Sequence, residues 1–362
     1  MRLALREADR ATGSTYPNPA VGAVVVKDAR VLASACSGPT GAAHAECRVL
    51  DVVQEQARGA TLYVTLEPCC HFGRTPPCTR RIIESGITEV VVAIEDPDDR
   101  VAGKGIDELR RCGVRVRQGM MAEVAKTVHA HYIHHVQTRR PWVSLKAASS
   151  IDGRIACENG DSRWITGKFS RREAHRLRAR HHAIGIGAAT VLADNPTLTV
   201  RHVSGVDPQI VVFDSRLQLA GMMNLHQVNV LRHGTMVMHT ERATAAARER
   251  ISASGAYPVM VDTDAKGHVD LDHALKVLAA GDIRSILVEG GGHLLDAFLT
   301  QTDWQEFHLF SSPVVLGGRA KALFPNIYFA RVSEALRMSL RSLRRRGHDI
   351  HAVFEPISRT SS

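Results

Sequence analysis

Aromatic side chains are scarce in this chain: 9 Phe, 5 Tyr and 3 Trp make up 5% of 362 residues, and they are scattered. Surfaces that hold single-stranded nucleic acid interleave cations with stacking rings. This distribution argues against such a surface, although Lys and Arg outnumber Asp and Glu by 46 to 37. The formal charge of +9 favours anionic ligands, and phosphorylated small molecules satisfy it as well as a polymer does. Long apolar runs are missing too: none approaches the ~20 residues of a membrane span, and the start has no signal-like apolar core. The seven cysteines are odd in number and irregularly spaced, which argues against a disulfide framework and predicts reduced thiols in a cytoplasmic protein. Repeats and low-complexity tracts are absent, and only Thr360-Ser361-Ser362 reads as a disordered tail. What remains is a chain with 44% apolar residues, long enough for two α/β cores.

Chemistry concentrates in three short pieces: His44-Ala45-Glu46, Pro68-Cys69 and Pro77-Cys78. Zinc takes imidazole and thiolate together, and a catalytic zinc keeps three protein ligands with one position open. His44, Cys69 and Cys78 fill those places. Zinc brings the pKa of a water molecule close to neutrality, and Glu46 is the group placed to move protons. The arrangement matches the H-x-E then P-C…C pattern of deaminases that act on an amino-bearing ring carbon, where the Glu is not a ligand. Here eight residues separate the two cysteines, so the second arm is a longer loop. The alternative is a structural zinc knot closed by Cys70 or His71. A knot has no use for Glu46. Cys36, Cys47, Cys112 and Cys157 are most simply packing residues.

Strands and helices alternate along the first part. Apolar rhythm predicts a helix over Leu3–Thr12, strands over Val21–Val26 and Val31–Ala35, and a helix opening at His44. Strands at Thr61–Leu66, Val90–Ile94 and Val114–Arg117 alternate with helices at Thr79–Ser85 and Ile106–Cys112. This pattern predicts a mostly parallel sheet, with ligands beyond the strand ends, where Cys69 lies. A helix over Ala122–Gln137 carries His129, His131, His134 and His135, read as a solvated or interface face. Pro141 then breaks the chain and sets a domain boundary, giving domains 1–140 and 141–362.

The second part opens with a strand at Trp142–Ala147, and an arginine-rich helix spans Ser170–Arg180. Strands are expected at Ala183–Ile186 and Ile210–Phe213, with weaker ones at Val228–Leu231 and Val237–His239. Helices are expected near Glu241–Ser252 and Leu271–Ala279. The strand Ile286–Glu289 runs into Gly290-Gly291-Gly292 and a helix over His293–Leu299, a turn that lets backbone amides approach a phosphate. By itself this is also compatible with a plain tight turn.

The run Leu66 to Cys78, with Gly73-Arg74-Thr75-Pro76-Pro77-Cys78, resembles the bifunctional riboflavin-biosynthesis deaminase/reductase family. Tyr16-Pro17-Asn18-Pro19-Ala20-Val21-Gly22 and Lys146…Ser150-Ile151-Asp152-Gly153-Arg154 carry the same resemblance, so it covers nearly the whole chain. It implies a cytidine-deaminase-like three-layer α/β domain followed by a dihydrofolate-reductase-like α/β domain. The implied activities are zinc-dependent removal of a ring amino group and NADPH-dependent reduction of a ribose to a ribityl chain. The substrate is then a small phosphorylated pyrimidine. In the first domain the resemblance implies substrate contacts at Asn18, His71 and Arg74. In the second it implies cofactor contacts at Ala148, Trp164, Thr190, Asp194 and Ser215, and along Gly291, Gly292, His293, Leu294, Leu295, Asp296 and Ala297. Substrate contacts there would be Ser162, Arg178, Leu198, Arg201 and Glu289, with Arg178 and Arg201 on the phosphate. Two positions depart from the family pattern. Cys36 stands where a His is common, eight residues before His44, and Gln218 stands where an Arg often follows the Ser of Asp214-Ser215. Arg216 is then the nearer candidate for a 2′-phosphate. A homo-oligomer without membrane contact is expected. The rival reading is a nucleic-acid-editing deaminase with a basic RNA-binding second half.

Overall fold

The structure is a computed structural model that describes residues 1–73 and 76–357. Arg74 and the tail Thr360-Ser361-Ser362 lie outside the described residues. The chain divides into two compact units, Met1–Arg140 and Pro141–Ser362.

The first unit runs α1 (Arg2–Ala11), β1 (Gly22–Lys27), β2 (Arg30–Cys36), α2 (Ala45–Val53), β3 (Thr61–Val64), α3 (Cys78–Glu84), β4 (Glu89–Val92), α4 (Lys104–Arg111), β5 (Arg115–Gln118), α5 (Ala122–Val128) and α6 (Ala130–Thr138). Its five-stranded sheet has the order β2-β1-β3-β4-β5. Only β3, β4 and β5 run parallel, because β1 is antiparallel to both β2 and β3. The two-residue turn between β1 and β2 explains this: Asp28 and Ala29 both take positive φ, 50° and 60°, which suits a hairpin and not a crossover. Val25, Leu62, Val64, Val90 and Val92 form the sheet side of the core, and Val49, Leu50 and Val53 of α2 pack onto it. The histidine-rich helix corrects the expectation. It is two helices meeting at His129, and His129 and His135 are buried. Nε2 of His129 lies 3.1 Å from the Thr65 hydroxyl, so His129 is part of the packed interior.

The second unit continues with β6 (Trp142–Ser150), β7 (Arg154–Ala156), α7 (Lys168–Arg180), β8 (Ala183–Gly187), α8 (Ala188–Asp194), β9 (Gln209–Phe213), β10 (Met236–His239), α9 (Ala245–Ala253), β11 (Tyr257–Met260), α10 (Leu271–Ala280), β12 (Ser285–Val288), α11 (Gly292–Gln301), β13 (Glu306–Ser312), β14 (Lys321–Ala322), β15 (Met338–Arg346) and β16 (Asp349–Pro356). Nine strands form one sheet in the order β11-β10-β9-β8-β12-β6-β13-β16-β15. It is parallel from β11 through β13, and the antiparallel β15–β16 hairpin closes the far edge. Val228–Leu231 is not a strand. Val230 and Leu231 are buried there without ladder pairing, in the segment between β9 and β10. The parallel strands bring Gly187, Asp214, Thr240 and Glu289 to one rim, since each lies at or just past a strand's C-terminal end. That rim is where open α/β sheets bind ligands.

Candidate active sites

In the first unit, His44 is the N-cap of α2 with extended backbone, so Glu46 falls in the first turn of that helix. Cys78 is the first residue of α3, after the N-cap Pro77. Cys69 lies in the loop after β3. That loop is braced from beneath by Glu67, whose buried carboxylate accepts backbone N–H bonds from Asp96 (3.2 Å), Gly103 (2.9 Å) and Ile106 (3.1 Å). Gly105 permits the approach: a Cβ there would lie 2.1 Å from the Pro68 carbonyl oxygen.

The result is a tight donor set. His44 Nδ1 lies 3.5 Å from the Cys69 sulfur and 3.3 Å from that of Cys78, and the Cys78 amide donates to the Cys69 sulfur at 3.4 Å. The three ligand atoms all fall within 4.8 Å of one another. Among the described residues neither Cys70 nor His71 joins this group, so the donor set has three members and an open side, as a catalytic zinc requires. Cys47, read from the sequence as a packing residue, sits closer than expected, with its sulfur 4.0 Å from that of Cys78. Hydrogen bonding to Cys69 pushes the His44 imidazole up to about 9. The contact with Cys78 draws Cys69 down to about 4, against the cost of burial. An imidazole and two thiolates around one dication settle these opposed tendencies together. Glu46 is 3% exposed, and burial pushes its carboxyl up to about 7. Its Oε2 is buried without a hydrogen-bond partner among the described residues. An orphaned carboxylate oxygen beside a three-donor cluster fits zinc with a proton-moving group. His71 is half-buried with its Nδ1 also unpartnered among the described residues, and Asn18 is half-buried in the loop before β1.

In the second unit, a cavity of about 910 Å³ lies along the rim. Thr190, Ser215, Gly291, His293, Leu294, Asp296 and Ala297 all line it. The Gly291 amide donates to the Thr190 hydroxyl at 2.9 Å, which ties the glycine turn to α8. A Cβ on Gly291 would come within 2.8 Å of that hydroxyl, so the cradle tolerates no side chain. A cavity of this size with the N-terminus of α11 in its wall fits a dinucleotide diphosphate. Other positions expected to contact the cofactor do not line the cavity. Leu295 is 1% exposed within the core, and Gly292 abuts Pro325 and the Leu323 carbonyl. A helix shows only one face to a ligand, so any contact from these two positions would be through the backbone. Ala148, Trp164 and Asp194 also lie off the cavity wall. Trp164 is 69% exposed, with the Arg171 guanidinium 4.5 Å from its ring centre.

The expected substrate residues divide similarly. Arg178 and Glu289 meet directly, Nε to Oε1 at 2.7 Å and Nη2 to Oε2 at 2.9 Å. Arg178 Nη1 also donates to the Thr199 carbonyl at 3.1 Å. The fork expected to grip phosphate is thus largely taken, and Arg178 positions Glu289 and the 197–201 loop. Burial works against charge on Glu289, yet Arg178 and Lys146 hold its carboxylate well below the usual range. Lys146 stands in one of the runs that carry the family resemblance, but sequence alone gave it no role; its Nζ lies 3.4 Å from Glu289 Oε2. Arg201 is exposed, donating to the Thr197 hydroxyl at 2.7 Å. Leu198 is 2% exposed with its side chain in the core, so only its backbone is available, and Ser162 is half-buried.

Fold and donors together define a two-site enzyme, a zinc-type deaminase joined to a nucleotide-dependent reductase. Residues 1–94 match the cytidine and deoxycytidylate deaminase zinc-binding region, and residues 141–352 match the RibD C-terminal domain. The riboflavin biosynthesis protein RibD of Bacillus amyloliquefaciens is 36% identical, with 98% of this chain and 95% of that protein covered. That of Escherichia coli is 35% identical, with 97% and 96% covered. The solved structure of Acinetobacter baumannii RibD superposes with a TM-score of 0.87 at 34% identity, covering 98% of this chain and 97% of the other. The chain belongs to the RibD family, the bifunctional deaminase/reductases of riboflavin biosynthesis. Its cofactors are accordingly zinc and NADPH. The match of both halves favours this reading over a nucleic-acid-editing deaminase. Among the described residues no helix is long and apolar enough to cross a membrane.

Proposed function

We propose that the unit Met1–Arg140 deaminates 2,5-diamino-6-(5-phosphoribosylamino)pyrimidin-4-one, and that Pro141–Ser362 reduces the ribosyl chain of the resulting 5-amino-6-(5-phosphoribosylamino)uracil. The solved Thermotoga maritima relative carries both activities in its description, at 34% identity and a TM-score of 0.85 with 99% of this chain and 97% of that one covered. The observation that carries the proposal is the orphaned Glu46 oxygen beside three converging metal donors.

His44, Cys69 and Cys78 would hold zinc, which would supply an acidified water. Glu46 Oε2 would accept a proton and return it to the departing nitrogen, the overall change being water in at the amino-bearing carbon and ammonia out. Asn18, His71 and Arg74 are assigned to the pyrimidine. In the second unit the Gly291 turn would hold the diphosphate of NADPH, which would supply the hydride. Reduction opens the ribose: C1′ gains hydride and the ring oxygen gains a proton. Lys146 and Glu289 are the paired groups aimed at that end, with Arg178 holding Glu289 in place and Arg201 left for the phosphate. Ser162 and the Leu198 backbone complete the substrate wall. Ala148, Trp164 and Asp194 are assigned to the nicotinamide end of the cofactor. The cytoplasm, where thiol ligands stay reduced, is the proposed compartment, and self-association is proposed, to be read by light scattering.

The test supplies the diamino compound with and without NADPH. Ammonia release without NADPH, followed by NADPH consumption on its addition, is the expected result. Ammonia release from cytidine or RNA but not from this compound would overturn the assignment.

A further inference from the structure

One end of the cofactor cavity is cationic, and the residues that make it so come from loops distant in sequence. Position 218 is a glutamine whose backbone amide donates to Asp214 Oδ1 at 2.9 Å. Two other segments are tied to the neighbouring Ser215. The Thr240 amide donates to the Ser215 carbonyl at 3.0 Å, and the Val269 amide donates to the Ser215 hydroxyl at 3.0 Å. A bridge between Thr263 and Val269 closes the loop after β11 into a small hairpin. Asp264 Oδ1 fixes that turn by accepting from the amides of Lys266 (2.9 Å) and His268 (2.8 Å).

These ties put Arg216, Arg242 and Lys266 on the wall of one cavity. All three are exposed, and none takes part in a salt bridge among the described residues. Arg242 Nη1 leans on the Gly267 carbonyl at 3.4 Å, which holds the guanidinium against the hairpin. Of the nearby carboxylates, Asp214 accepts from the amides of Gln218 and Leu219, Asp264 from its own turn, and Glu241, which acts electrostatically on Arg242, from the Thr263 hydroxyl. The Gly291 turn on the same wall follows β12, three places from β10 in the sheet, and suits a diphosphate. Three cations without a salt bridge among the described residues therefore stand on the cavity wall near Ser215, where a second anion of the same ligand would meet them. We propose that Arg242 and Lys266, beside Arg216, bind the 2′-phosphate of NADPH and set its preference over NADH. Gln218 cannot supply this charge, so the hairpin and the turn after β10 supply it instead.

This rests on the cavity being the cofactor cleft, and the experiment separates the two ideas. Binding of NADPH and of NADH to the full chain is followed by nicotinamide fluorescence, with no substrate present. Arg242→Gln combined with Lys266→Gln should weaken NADPH binding roughly a hundredfold, since each charge-assisted bond is worth about tenfold or more. NADH affinity should stay unchanged, which also shows that the variant is folded. Equal losses for both nucleotides, or an unchanged NADPH affinity, would overturn the proposal. Gly291→Phe blocks the diphosphate cradle and should abolish binding of both. Normal NADPH binding by that variant would remove the cleft assignment itself.

Discussion

Arg178 and Glu289 face each other in a two-point ion pair, with side chains only 13% and 7% exposed. Neither charge has water as a ready substitute partner. Deleting one member of such a pair costs about 3–5 kcal/mol. Arg178→Leu is therefore expected to lower the stability of the second unit and remove most reductase activity, while deamination stays near normal. Arg172→Leu, exposed on the same helix, should change neither. Urea melts with separate assays of the two activities decide this, and equal losses in both variants would refute the pairing as the cause.

Glu46→Gln should keep zinc and lose deamination by roughly a hundredfold to ten-thousandfold, the usual span for a positioned proton carrier. Cys69→Ser should lose the metal as well. Elemental analysis alongside ammonia release distinguishes the two, and a fully active Glu46→Gln would exclude the assigned role.

Chelating zinc from the full chain should stop ammonia release and leave NADPH-dependent reduction of the deaminated compound intact. The donors all belong to Met1–Arg140 and the nucleotide cavity to Pro141–Ser362. Loss of both activities with circular dichroism unchanged would mean the sites are not chemically independent.

Burial lowers the pKa of His129 from 6.5 to about 4. The unfolded chain thus binds a proton that the folded one refuses between these values. Stability from this group is complete above about 6.5 and is lost as pH falls toward 4, with a slope of about 1 kcal/mol per pH unit. Burial also lowers His175, His181 and His351 in the second unit to about 4, so denaturant melts from pH 4 to 7 should show a steeper total, and His129→Gln should reduce it by about 1 kcal/mol per pH unit. An unchanged slope in the variant would assign the titration to another group.

Much of this could be read from residue order. The alternation of apolar runs located β3, β4, β8, β9 and β12 to within a few residues, and the H-x-E and Pro-Cys pieces brought His44, Cys69 and Cys78 together before any coordinates. What escaped has physical reasons. The strand β15, Met-Ser-Leu-Arg-Ser-Leu-Arg-Arg-Arg, is an edge strand with mostly exposed side chains, so it lacks the apolar alternation of a buried strand. Lys146 and Glu289 pair through β6 and β12, neighbours in the sheet but 143 residues apart, and no local pattern announces such a contact. Lys266 lies in a hairpin whose only signal is an Asp-Ala-Lys-Gly turn. A motif carries a whole run of residues across, whereas the helix turns every third or fourth side chain inward, as it does Leu295.

The brace formed by Glu67 has a consequence for how the chain acquires its metal. Three backbone amides from the 96–106 segment converge on one carboxylate, and Gly105 lets that segment press against Pro68. Every part of this support is polypeptide, and it sits within a core of valines and leucines that needs no ion to form. In small zinc modules the ion is the nucleus around which the chain condenses, and chelators unfold them. Here the tripod is preorganised by folding, so the conformational entropy of the loop is already lost when zinc arrives. Metal uptake should then resemble ligand docking, fast and reversible, and the chelated chain should remain a folded receptor that recovers deamination as soon as zinc is returned.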